Sequence, residues 1–390
     1  MRVVVVAGPD PGHAFPAIAL CLRFLAAGDH PTLLTGTERL AIARSAGVDA
    51  MELEGLDAAG GDDDTDAGAK LHQRAARMAV LNVPLIREMA PDLVISDVIT
   101  ACGGMAAELL GLPWVELNPS PLYRPSRGLP PLGSGLAPGV GLRGRLRDTV
   151  MRALTARSFR QGVAERAQAR VGIGLPFDDP GPVRRLIATL PALEVPRPDW
   201  PAEAVIVGPL HFEPTSALLE VPPGDGPLVV VAPSTATTGA EGLAEIALAA
   251  LIPGETLPAG ARVAVSRLAG PDTVVPPWAV VGLGRQDELL ARADLMICGS
   301  GHGIVSKTLL AGVPLVVVPG GGDQWEIANR IVRQGSGRLI RPLTAEALAA
   351  EVAEVLASPA YRERARAART GADAVADPVR VCHDALGTPA

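Results

Sequence analysis

The sequence predicts an α/β protein built on two doubly wound parallel sheets, and three observations carry that prediction. Residues 2–7 are a nearly unbroken run of valines, the composition of a strand buried on both faces. The chain then alternates: the break GPDPGHAFP, a helix over 14–27 closing near Gly28, a strand over 31–35 and a helix over 37–46. Such alternation sets strands side by side and parallel, with a ligand crevice beyond their C-terminal ends. Third, residues 212–226 (FEPTSALLEVPPGDG) turn rich in proline, glycine and acid, and a fresh apolar strand starts at Leu228. That passage reads as a linker between domains of residues 1–211 and 227–372, with 373–390 as a closing segment.

The chain has 390 residues, enough for two domains with ample cores. Hydrophobic residues make up 48% and charged residues 20%, an ordinary globular composition. A net charge of −7 argues against a nucleic-acid-binding surface and against a polybasic membrane patch, and 3% aromatics argues against base stacking. Cys21, Cys102, Cys298 and Cys382 show no paired spacing, so buried reduced thiols are expected rather than a metal site or disulfides. No signal sequence and no apolar run of membrane-spanning length appears, which leads to the expectation of a cytoplasmic protein without stable membrane insertion. Oligomeric state stays open.

In the first half, residues 56–70 (LDAAGGDDDTDAGAK) are small and acidic and read as a mobile loop. A helix follows over 70–89, with Leu71, Ala75, Met78 and Leu81 on one face. A buried strand over 93–96 ends at Asp97, which suits an N-cap for the Gly/Ala-rich helix that runs to 110. After a strand over 114–117, residues 118–146 begin rich in Pro and Gly; this passage is too long for an idle connection and reads as a lid or binding wall. Helices follow from about 143 to 169.

In the second half, the strand over 228–232 runs into PSTATTG, where Ser234 and Thr235 either reach a diphosphate or cap the next helix. Strands over 262–266 and 279–281 lead to residues 293–337, ADLMICGSGHGIVSKTLLAGVPLVVVPGGGDQWEIANRIVRQGSG. This segment reads as a strand, a glycine-rich turn, a helix from about 304, a buried strand over 313–318, and a loop bearing Asp323 and Gln324 before another helix. A turn of small residues before a helix concentrates unsatisfied amides at one point, and Ser300, Gly301, His302 and Gly303 form such a place for a diphosphate. Asp323 and Gln324 offer the acceptors and donors that sugar hydroxyls need. Residues 344–369 are strongly helical.

The ordered set SGHG, AGVPLVVVP, DQ, Asn329 and a GSG turn resembles the donor-binding segment of the UDP-glycosyltransferase-like inverting glycosyltransferases. That family includes bacterial enzymes that glycosylate macrolides and other natural products. PGHAFP resembles the family's GHxxP turn. The resemblance implies the GT-B architecture: two Rossmann-like domains facing each other across a cleft, with the closing segment crossing back to the first. It implies His13 as catalytic base, Asp97 as its partner, Gln286 at the nucleotide base, and Pro119, Leu122, Tyr123 and Leu136 toward a small apolar acceptor. The implied reaction moves a sugar from a UDP- or TDP-sugar to an acceptor hydroxyl with inversion, without metal or other cofactor.

Three positions depart from the family pattern. Gly299 stands where a phosphate-contacting histidine is usual, and His302, three residues on, either supplies that donor or is simply exposed. Ile304 replaces a threonine. Lys307 replaces a ribose-binding glutamate and suits an anion near the nucleotide, or else lies on the surface. Two other readings are a non-catalytic sugar-nucleotide-binding accessory protein and a sugar-nucleotide epimerase on the same fold.

Overall fold

The computed structural model describes residues 1–56, 67–235, 239–267 and 274–387. Residues 57–66, the middle of the acidic passage, and 236–238 of the PSTATTG turn lie outside them. The valine run forms β1 (Arg2–Val6), followed by α1 (Pro11–Ala26), β2 (His30–Thr35), α2 (Thr37–Ser45) and β3 (Asp49–Glu52). Then come α3 (Ala67–Met89), β4 (Leu93–Asp97), α4 (Cys102–Leu110), β5 (Trp114–Asn118), α5 (Gly141–Val171), β6 (Arg184–Ile187) and β7 (Ala204–Ile206). These strands make one seven-stranded sheet of order β3-β2-β1-β4-β5-β6-β7, parallel throughout. Val3, Val4, Val5 and Val6 are 0–1% exposed, as a central strand covered by helices on both faces requires.

Residues 211–226, all described, cross to the second sheet as irregular chain. There β8 (Leu228–Ala232), α6 (Leu243–Ala250), β9 (Arg262–Ser266), β10 (Ala279–Gly282), α7 (Gln286–Arg292), β11 (Leu295–Cys298) and α8 (His302–Leu310) follow. They are succeeded by β12 (Leu315–Val317), α9 (Gln324–Gln334), β13 (Gly337–Leu339), α10 (Ala345–Ala357), α11 (Pro359–Ala368) and α12 (Pro378–Leu386). The six strands run parallel in the order β10-β9-β8-β11-β12-β13. Helix α12 packs against α1 and β6, far back in sequence, and its His383 meets Asp29 at 2.9 Å.

Each sheet reverses its direction of growth once, between β1 and β4 in the first and between β8 and β11 in the second. Chains leaving the two strands at such a point diverge and open a crevice. The turns after β1, β4, β8 and β11 therefore define where ligands go.

Two expectations need correction. Along α3 the buried residues are Ala75, Ala76, Met78, Ala79, Asn82 and Ile86, while Leu71 and Leu81 are 59% and 43% exposed, so the apolar face is turned from the one expected. Residues 143–169 form one continuous 31-residue helix with its flanks, α5, in place of several. All four cysteines are buried free thiols.

Candidate active site

His13 was expected in a loop and instead lies in the first turn of α1. Pro11, whose fixed φ suits a helix start, brings the helix forward by three residues, and Asp10 precedes it in extended conformation. Across the switch point, β4 ends on Asp97, and its Oδ2 lies 2.8 Å from His13 Nδ1. The other carboxylate oxygen accepts from Ile99 N at 3.0 Å and from Thr100 Oγ1 at 3.5 Å. Helix α4 starts only at Cys102, after Ala101, so Asp97 orders the turn before the helix and does not cap it. The Asp97 side chain is wholly buried and that of His13 is 24% exposed, so one end of the pair is fixed and the other open. With Nδ1 engaged, Nε2 is the ring nitrogen left for a ligand. Burial pulls the imidazole pKa down. The hydrogen bond and charge of Asp97, helped by Asp10 and Asp323, outweigh it and leave the group above its ordinary value.

On the opposite side, the turn after β11 carries Ser300 at φ 65°, a left-handed backbone that side-chain-bearing residues rarely adopt. Ser300 is fully buried and its hydroxyl has no hydrogen-bond partner among the described residues. Gly301 then opens α8 with no side-chain cap and no acidic residue in the first turn. Strained backbone, an orphaned hydroxyl and uncapped amides at one point are what an anion would satisfy. A side chain at Gly299 would put its Cβ 2.9 Å from Ser234 Cβ. The close approach of the two turns therefore excludes the usual histidine there.

Ser234 Oγ accepts from Gln324 Nε2 at 3.0 Å, and Gln324 Oε1 accepts from Gly320 N at 3.0 Å. Gln324, expected to face a sugar, thus staples the β12 loop to the β8 turn. Thr235 is exposed beside it. Asp323 precedes α9 without capping it. Burial lifts its carboxyl pKa, while the positive charge of His13 and the Tyr123 hydroxyl pull the other way. Burial and the Asp323 charge push Tyr123 in turn well above its ordinary value. His13, Asp97, Tyr123 and Asp323, drawn from both halves of the chain, share one site.

Other expected residues sit elsewhere. His302 Nε2 lies 2.9 Å from Thr189 Oγ1, and the Pro119 carbonyl also accepts from the ring; it is buried between the halves, neither exposed nor free for a phosphate. Burial holds its pKa at about 4. Lys307 is neither on the surface nor free for an anion: Nζ donates to Glu213 Oε1 at 2.6 Å and to Gln286 Oε1 at 3.2 Å. Gln286 is itself held by Glu213 through its backbone N–H at 3.0 Å and by Ser266 at 3.3 Å. Leu122 is 1% exposed and packs with Ile187 and Ala204 in the core, so it cannot line a cleft. Pro119 is buried, and Leu136 lines a small cavity with Leu129, Pro131 and Arg330. Sequence reasoning missed Thr189, Glu213 and Glu326. Each acts through partners 73 or more positions away, beyond any local pattern.

Residues 256–385 match the family model described as the C-terminal domain of erythromycin biosynthesis protein CIII-like proteins. The chain is 29% identical over 419 residues to 4'-demethylrebeccamycin synthase of Lentzea aerocolonigenes, covering 97% of this chain and 98% of that one. Among solved structures it resembles the kitacinnamycin glycotransferase, with TM-score 0.77 at 21% identity over 100% of this chain and 99% of that one. It also resembles the spinosyn rhamnosyltransferase SpnG complexed with thymidine diphosphate, with TM-score 0.70 at 21% identity over 98% and 99%. At those identities the structural matches speak for the fold, and the full-length sequence match speaks for the activity. With two parallel sheets meeting across their switch points, the chain resembles the natural-product type of UDP-glycosyltransferase-like enzymes over its whole length, and it is a glycosyltransferase of the GT-B fold.

Proposed function

We propose that this enzyme transfers a sugar, with inversion, from a nucleoside-diphosphate sugar to a hydroxyl of a small apolar acceptor. His13 is the general base. Its Nε2 takes the acceptor proton as the oxygen bonds to the anomeric carbon, while Nδ1–H donates to Asp97, which steadies the resulting imidazolium. The bond from that carbon to the phosphate oxygen breaks on the opposite face. The departing diphosphate carries the electron pair to the amides at the start of α8 and to the Ser300 hydroxyl. Because those groups supply positive potential, the reaction needs no metal. Asp323, held above its ordinary pKa at the mouth of α9, receives the sugar hydroxyls opposite His13.

The observation that carries this reading is the 2.8 Å contact between His13 and a fully buried Asp97 at the switch point of the first sheet. The structural likeness to a protein solved with thymidine diphosphate supports a TDP- or UDP-linked donor. The loop 118–140 supports the acceptor side through Tyr123, which shares the site with His13 and Asp323.

The test is turnover of UDP- and TDP-sugars against a panel of polycyclic and macrolide hydroxyl acceptors. His13→Ala is expected to lower kcat by about 10²–10⁴-fold while nucleotide affinity by calorimetry stays within about twofold. EDTA is expected to leave the wild-type rate unchanged. Retained turnover in His13→Ala would assign the base elsewhere, and a rate abolished by EDTA and restored by a divalent ion would replace the helix as the diphosphate's partner.

A further inference from the structure

We propose that the exposed first two-thirds of α5 is a peripheral docking surface for an anionic lipid membrane. Over residues 141–164 of this helix, Asp148 alone is buried. Leu142, Leu146, Val150 and Leu154 recur every four positions and are 87%, 65%, 51% and 77% exposed. On an α-helix that spacing confines them to one stripe roughly 120° wide and about 18 Å long. The opposite face is occupied: Asp148 accepts from Gly139 N at 2.7 Å, and Arg152 donates to Leu129 O at 2.7 Å, so the loop before α5 covers it. The apolar stripe faces away from the molecule, with no described residue packed on it as a core. A helix this long draws its stability from a packed face; here that face lies at the last turns, where Ala167, Ala169 and Arg170 are buried, while the first two-thirds is held by the polar contacts just named.

The charge on the helix names the occupant. Its 31 residues hold eight arginines and two carboxylates, in a chain whose net charge is −7. The chain-wide acidity, which argued against a basic membrane patch, conceals a local one. Arg147, Arg166 and Arg170 are paired with Asp148, Asp179 and Glu108. Arg143, Arg145, Arg157 and Arg160 are exposed and form no ion pair with any described residue. A second copy of this face would set arginines against arginines. The stripe is aliphatic, built of Leu142, Leu146, Val150 and Leu154, and without the aromatic anchors that concentrate energy in protein interfaces. Exposed aliphatic side chains with arginines beside them on one helix are what sink into the headgroup layer of an anionic bilayer, with the helix lying in the plane. No described helix is long and apolar enough to cross a membrane, so the contact is peripheral.

Vesicle co-sedimentation of the full chain tests this. Phosphatidylcholine vesicles containing 30 mol% phosphatidylglycerol are expected to bind the protein at about 50 mM salt and to release most of it at about 500 mM. Leu146→Ser/Leu154→Ser is expected to lower partition at least about tenfold, and Arg143→Gln/Arg157→Gln several-fold, with unchanged thermal midpoint because these side chains support no core. Protein that stays in the supernatant with anionic vesicles overturns the proposal, as does a double-leucine variant that partitions like wild type. A wild-type dimer in light scattering that the leucine substitutions convert to monomer also overturns it, in favour of a protein interface.

Discussion

His13 lies under opposing pressures, and their balance sets the pH at which it can act. Burial disfavours the imidazolium, whereas Asp97 favours it through a hydrogen bond and through charge, and the net pKa is raised. The role proposed for His13 as general base requires the neutral ring, so kcat/KM is expected to fall as pH drops through that raised value. Asp97→Asn removes the charge and leaves at most a weaker, neutral hydrogen bond, so burial comes to dominate. The acidic limb of the pH–rate profile is then expected to move to lower pH, while the plateau drops about tenfold to a hundredfold because the ring loses its orientation. An acidic limb that stays in place in the variant would mean that some other group titrates there. The same side chain shows what sequence could and could not give. PGHAFP singled out His13 through resemblance, and Asp97 through its place after an apolar strand. Neither pattern carries the 2.8 Å contact, which exists because β1 and β4 are neighbours in the sheet.

Helix α9 joins the two sides of the cleft. Its start holds Asp323 and Gln324, and its next turns grip the loop from the first half: Glu326 accepts from Gly135 N at 2.9 Å and Arg333 donates to Gly135 O at 2.8 Å. Gly135 has φ 65°, and a Cβ there would collide with the Trp325 indole nitrogen and the Asn329 amide. Gly135→Ala is therefore expected to release the loop at a local cost of about 1–3 kcal/mol. Hydrogen exchange over residues 129–138 should speed up correspondingly, with little change in β1 or β8; equal protection in both proteins would show that the grip is not what holds the loop. At this scale the sequence was legible where burial is two-sided. β8 and β9 were read to the residue as apolar runs. β3 (DAME), β6 (RRLI), β7 (AVI) and β13 (GRL) were missed, being short and near or at sheet edges. In β6 the polar residues are satisfied sideways, Arg185 pairing with Glu116 and Glu203, so the strand carries the composition of a loop.

At the scale of the molecule, the two halves are joined through histidines that must stay neutral. His302 bridges to Thr189, and His211 Nε2 lies 2.9 Å from Ser306 Oγ. Burial holds the first at a pKa of about 4 and, with the charge of Lys307, the second at about 3. Once the halves separate or unfold, both return toward about 6.5 and bind protons that the folded form refuses. Stability contributed this way is complete above about pH 6.5 and is lost as pH falls toward 4, since the unfolded state then holds more protons. For His302 alone the loss amounts to about 3 kcal/mol over that window. His302→Gln keeps an amide for Thr189 but cannot titrate, so it is expected to be less stable than wild type at pH 7.5 and to lose less on acidification. Chemical denaturation at pH 7.5, 5.5 and 4.5 measures both slopes. A gap between the two proteins that narrows by about 3 kcal/mol across the series assigns the acid sensitivity to this residue. Parallel curves would place it in other groups and leave His302 as a packing element whose charge never enters the balance.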